Sequence, residues 1–96
     1  MPLFVVRHQH PGERCPARDP RMGQMLLEHL SPSNAGRYGI RLHGEGVIEG
    51  GHALYLIVEA EGEEKVQEFM APFAQAGTVE VLKANTCEQV VARQSC

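Results

Sequence analysis

Leu54-Tyr55-Leu56-Ile57-Val58 places five apolar side chains in a row, and few architectures accommodate such a run. Successive side chains of a strand point to opposite faces, so an unbroken apolar strand has to be covered on both. The run belongs to a strand expected over His52 to Ala60. Glu49-Gly50-Gly51 ahead of it supplies a tight hairpin turn, tying it to a partner strand over about Tyr38 to Val47. Gly44 and Gly46 weaken that partner and signal a bulge or a close backbone approach.

The rest of the chain arranges itself around this hairpin. Leu3 to His10 alternates as a first strand, with Phe4, Val6, His8 and His10 on one face and Leu3, Val5, Arg7 and Gln9 on the other. Pro11-Gly12 ends it, and a polar loop runs to Pro20. Asp19-Pro20 opens a helix to Leu30, with Asp as N-cap and Pro at the first helical position, and Met22, Met25, Leu26 and Leu30 form its apolar face. Ser31 to Gly36 stops that helix. Glu61 to Gln75 is a second helix, built on Val66, Phe69, Met70 and Phe73, with a kink expected near Pro72. Gly77 closes it. Thr78 to Lys83 is the last strand, and Thr86 with Gln89 forms a capping box for a short C-terminal helix.

The order is β-α-β-β-α-β, the ferredoxin-like arrangement, an α+β fold in a single domain over 1–96, with a core of about 2–85 and a tail or short helix over 86–96. On that order of elements the chain resembles the small members of the dimeric α+β-barrel group. The resemblance implies a four-stranded antiparallel sheet of order 4-1-3-2 with two helices on one face. It also implies a homodimer whose sheets pack face to face and enclose ligand cavities. The apolar third strand points to the same partner independently, because the helices cover only one sheet face.

Composition excludes several function classes. The net charge is −3, and no basic stripe or aromatic–basic interleaving marks a nucleic-acid partner. No apolar run approaches the roughly 20 residues of a membrane span, and the first residues lack the pattern of a signal peptide. The three cysteines, Cys15, Cys87 and Cys96, form no C-x-x-C pair and no closed disulfide set, so a cytoplasmic, reducing location is expected.

Function centres on His8-Gln9-His10-Pro11-Gly12-Glu13-Arg14-Cys15. Two imidazoles at i and i+2 share one strand face, and the topology brings the start of the third strand, with His52, beside them. The leading expectation is a divalent transition-metal site (Zn, Ni, Cu or Fe) of His8, His10, Cys15 and His52, with His43 and Glu45 as spare or supporting groups at the same sheet end. It would serve sensing, buffering or small-scale catalysis. Against it stands the ordinary clustering of loop histidines near a strand end.

One alternative is a metal-free cavity enzyme, isomerase-, cyclase- or oxygenase-like, with His10 or His52 as acid–base and Tyr55 or Arg7 binding polar atoms of a small-molecule ligand. The other is a non-catalytic ligand-binding or assembly module. Tyr55 otherwise reads as a core aromatic, and the methionines as flexible core filler. His29 reads as a cation at a helix C-terminus, away from the cluster. Arg14, Arg18 and Arg21 read as solvated loop charges, with anion recruitment at the first helix as the alternative. Cys87 should lie at the opposite sheet end.

Overall fold

The computed structural model describes residues 1–96. Its elements are β1 (Leu3–Gln9), α1 (Pro20–His29), α2 (Pro32–Arg37), β2 (Arg41–Val47), β3 (Ala53–Glu59), α3 (Glu63–Ala74), β4 (Thr78–Ala84) and α4 (Cys87–Arg93), with single 3₁₀ turns at Gly12–Arg14 and Pro16–Arg18. The four strands form one open antiparallel sheet in the order β2-β3-β1-β4. This is the ferredoxin-like α+β arrangement. No helix is long and apolar enough to cross a membrane.

Sequence chemistry accounts for the element boundaries. Asp19 Oδ1 accepts the Arg21 and Met22 amides and starts α1 behind Pro20, satisfying donors that the first helical turn leaves free. Thr86 Oγ1 accepts the Gln89 amide while Gln89 Oε1 accepts the Thr86 amide, so the capping box at α4 is complete. Gly50 adopts a φ of +73° in the β2–β3 turn, a conformation that favours glycine. The β2–β3 register shifts between Leu42 and Gly44, which is the bulge that the glycines of this strand signalled.

Two local readings need correction. The stretch after α1 is a further helix, α2, begun by Ser31 in the way Asp19 begins α1: the hydroxyl accepts the Asn34 amide and Pro32 takes the first turn. This shortens β2, which starts at Arg41, because Tyr38 caps α2. The helix expected over Glu61 to Gln75 is present as α3, which runs through Pro72 to Ala74 with Gln75 as its C-cap.

The core lies between the sheet and the helices. Val6, Leu56 and Val58 from the strands meet Val66, Phe69 and Met70 from α3, all six fully buried. The opposite face of the sheet is open. There Ile57 and Leu82 remain 44% and 49% exposed, and Arg7 Nε donates to the Tyr55 hydroxyl at 3.0 Å. Tyr55 is therefore a surface residue of the open face and not a core aromatic.

Gly77, expected as a helix stop that uses glycine's backbone freedom, is required for another reason. A Cβ there would overlap the Gln9 carbonyl oxygen and lie 2.8 Å from the His10 Cα. The turn from α3 into β4 thus presses backbone on backbone against the end of β1. Gly77→Ala should destabilise the protein by about 3 kcal/mol, at the upper end of overpacking costs. The check is a urea unfolding curve, with a lowered midpoint and an unchanged slope.

Candidate functional site

Alternation along β1 carries a histidine into the core. His8 follows Phe4 and Val6 on the helix-facing row and is only 3% exposed. A buried imidazole needs partners for both ring nitrogens, and it has them. His8 Nδ1 lies 2.9 Å from the Thr78 carbonyl oxygen and its Nε2 lies 3.2 Å from His10 Nδ1. A carbonyl can only accept, so His8 Nδ1 carries the proton and Nε2 is the acceptor. His10 Nδ1 must then donate. One tautomer is thereby selected along the pair, and it leaves His10 Nε2 as a bare lone pair. That atom is buried and has no hydrogen-bond partner.

His10 continues the β1 row, and its amide donates to the His52 carbonyl at 3.1 Å, extending the β1–β3 ladder one step. The two side chains stand together, with ring centroids 5.3 Å apart. His52 Nδ1 is a second buried ring nitrogen without a partner. Gly12 packs against the other edge of this ring, since a Cβ on it would sit 3.2 Å from His52 Nε2.

Cys15 joins two 3₁₀ turns that hold its backbone on both sides. Its amide donates to Gly12 O and its carbonyl accepts from Arg18 N. Arg14 Nη1 ties the same loop to the Gln75 carbonyl at the end of α3. The thiol is free and half-buried. One ligand atom each from His10, Cys15 and His52 lie within 4.8 Å of one another.

No carboxylate takes part in this group, and burial decides its electrostatics. Desolvation lowers the pKa of His8 from the usual 6.5, with the Thr78 hydrogen bond acting in the other direction. Desolvation lowers that of His10 as well, helped by the neighbouring charges of His8 and His52. Both shifts favour the uncharged imidazole, the form that offers a lone pair.

Not every residue expected at this end of the sheet is found there. His43 follows the core-facing Leu42 and so lies on the open face, where it pairs with Glu59, whose carboxyl is held below its usual range mainly by that bond. Glu45 is exposed on β2 opposite Leu56. Both residues precede the end of the strand, and only Val47 approaches the cluster. Arg7 and Tyr55 are on the other sheet face and cannot line a cavity with His10. Cys87 begins α4 beyond the far end of β4 and is exposed, as expected.

His29 is nearer than its position in the chain suggested. It stacks on Phe69, donates from Nε2 to the Phe69 carbonyl, and borders a cleft with His8 and His10. Phe73, edge-on to His8 at 5.2 Å, and Thr78 support the site and were not singled out from the sequence. Phe73 carried the signal of a core helix position, and a main-chain carbonyl carries none.

The lowered imidazole pKa values link pH to stability. Just below pH 6.5 the unfolded chain binds more protons than the folded one, so stability declines there as pH falls and is retained above it. Metal-free protein should have a lower urea midpoint at about pH 5.5 than at about pH 7.5, and His8→Gln should flatten that slope.

Residues 3–95 match the family described as Domain of unknown function (DUF3303), and the chain belongs to that family. No curated protein matches the chain.

Proposed function

We propose that this DUF3303 protein binds a divalent transition metal through His10, Cys15 and His52, with His8 positioning His10 from behind. The observation that carries this reading is the pair of buried imidazole nitrogens without partners, His10 Nε2 and His52 Nδ1, beside a free thiol. An unpaired buried polar atom is costly, and a metal ion is one partner that satisfies two imidazoles and a thiolate at once. Two imidazoles and a thiolate suit Zn, Ni, Cu or Fe. The ligand atoms lie within 4.8 Å of one another, and bond lengths of about 2.0–2.3 Å to a shared ion set the separation they would take up on binding.

His8 acts differently here from the ligand role expected of it. Both of its ring nitrogens are engaged, and a hydrogen bond to the far nitrogen of a ligating imidazole fixes its tautomer and orientation. Three protein ligands leave a fourth position for water or a substrate, the pattern of catalytic rather than structural zinc.

Titration with Co(II), a spectroscopic stand-in for zinc, tests the assignment. Wild type should bind one equivalent and give a thiolate-to-metal charge-transfer band, which Cys15→Ser removes. His10→Ala and His52→Ala should abolish tight binding, whereas His8→Ala should weaken it by about 10–100-fold. Affinity should fall below about pH 6, because protons compete for the ligands. Absence of binding in the wild type, or retention of the band in Cys15→Ser, would overturn the reading.

We also infer that a second copy of the chain covers the open sheet face. Val5, Ile57 and Leu82 form an apolar centre there, and Arg7 on β1 stands directly opposite Glu80 on β4. One patch thus carries both signs of charge, as a two-fold, self-complementary contact requires. Sedimentation velocity should give a dimer for the wild type and a monomer for Ile57→Glu, with the fold retained in both.

A further inference from the structure

The sequence of α1 has an apolar face, yet none of Pro20–His29 is buried. Met22 and Met25 are 51% and 60% exposed. The reason is a cleft of about 260 Å³ between α1 and the end of α3, with His8 and His10 among its lining residues. A second hollow of about 100 Å³ adjoins it, shares His8, His10, Pro16, Leu26 and Phe73, and reaches Leu54 and Val47. Leu26 and the capping Leu30 of this face do pack on the core, but protein interiors pack to crystal density, so two methionines left bare beside an open cleft of this size are not a finished core. Space of this volume lies below the roughly 300–1,000 Å³ of drug-sized clefts and suits a molecule of one or two rings.

Charge narrows the class of occupant. No acidic side chain lines either hollow, and the one formal cation among their walls is Arg14. Arg14 is exposed at the mouth of the cleft, where it also borders a neighbouring outer groove. Its Nη1 is engaged by the Gln75 carbonyl, and its other donors make no hydrogen bond within the chain. Glu13 and Asp19 face a neighbouring outer groove, and the Asp19 carboxylate is occupied with capping α1. The walls contributed by Met22, Met25, Leu26 and Phe73 are apolar, and methionine adapts its shape to what it contacts.

We propose that this cleft binds a small aromatic or branched aliphatic monocarboxylate. Its carboxylate pairs with Arg14, and its apolar body lies between α1 and Phe73. Guanidinium and carboxylate make paired, charge-assisted hydrogen bonds, and the apolar body covers the face of α1 that the fold leaves bare. Binding rests on the cleft alone and needs no metal at His10, so it stands or falls separately from the metal site.

The test uses metal-free protein and three probes of equal size: 2-naphthoate, the neutral 2-naphthylmethanol and the cationic 2-naphthylmethylammonium. Titrations are followed by calorimetry and by methionine methyl NMR signals. In the wild type, 2-naphthoate should bind saturably and shift the Met22 and Met25 signals, with affinity about tenfold above that of the alcohol. The ammonium compound should bind least. Arg14→Gln should bring the acid down to the level of the alcohol and leave the alcohol unchanged. Met25→Glu, a substitution at an exposed position, should expel the acid while the circular dichroism spectrum stays native. Failure of 2-naphthoate to shift the methionine signals, or equal affinity for acid and alcohol in the wild type, would overturn the proposal.

Discussion

The pairing of β1 with β3 on one side and β4 on the other is the constraint on which the rest of this structure depends. The first pairing sets His10 directly beside His52, and the second sets His8 opposite Val79 and within reach of the Thr78 carbonyl. A one-residue slip of β1 would turn Phe4, Val6 and His8 out of the core and Val5 and Arg7 into it. Register therefore secures the hydrophobic layer and the imidazole pair together. The close backbone contact at Gly77 holds the same strand end from the side of α3.

Burial of His8 is the point at which packing becomes chemistry. An imidazole in an apolar layer must be satisfied or it destabilises the fold. Its satisfaction by one carbonyl and one imidazole selects a tautomer that leaves a buried lone pair on His10. The same desolvation lowers the pKa of both rings and so favours their uncharged form. Around this pair, α3 is more deeply packed than α1. Val66, Phe69 and Met70 of α3 are fully buried, and α1 contributes no buried residue. The molecule is thus well packed on one side of its histidines and open on the other, which is where a small molecule has access.

Much of this was legible in the residues. Alternation along Leu3–His10, the hairpin at Gly50, the caps at Asp19 and Thr86 and the helical spacing of Val66, Phe69, Met70 and Phe73 are local signals, and each acts over one or two turns of chain. The convergence of His10, Cys15 and His52 followed from topology, because antiparallel order alone brings the end of one strand beside the start of another. Other features were not legible. A Ser-Pro pair that starts a helix resembles one that merely ends the preceding helix, so α2 was missed. His43 lies away from the cluster because the register sets it beside Val58 and Ile57, several residues along β3 from His52 and on the open face. A register is a pairing of distant segments that residue spacing does not encode.

By itself, then, the sequence determined the strands, the two main helices, their succession along the chain and the set of histidines and cysteine available for binding. All of these depend on periodicity, caps and turn chemistry, which are properties of neighbouring residues. Only the tertiary structure decided that His8 is engaged at both nitrogens while His10 and His52 each keep one bare, that Tyr55 faces outward, and that Met22 and Met25 of α1 stay exposed. Those outcomes depend on which groups from distant segments meet, and on whether packing satisfies or strands a polar atom. No local pattern carries that information.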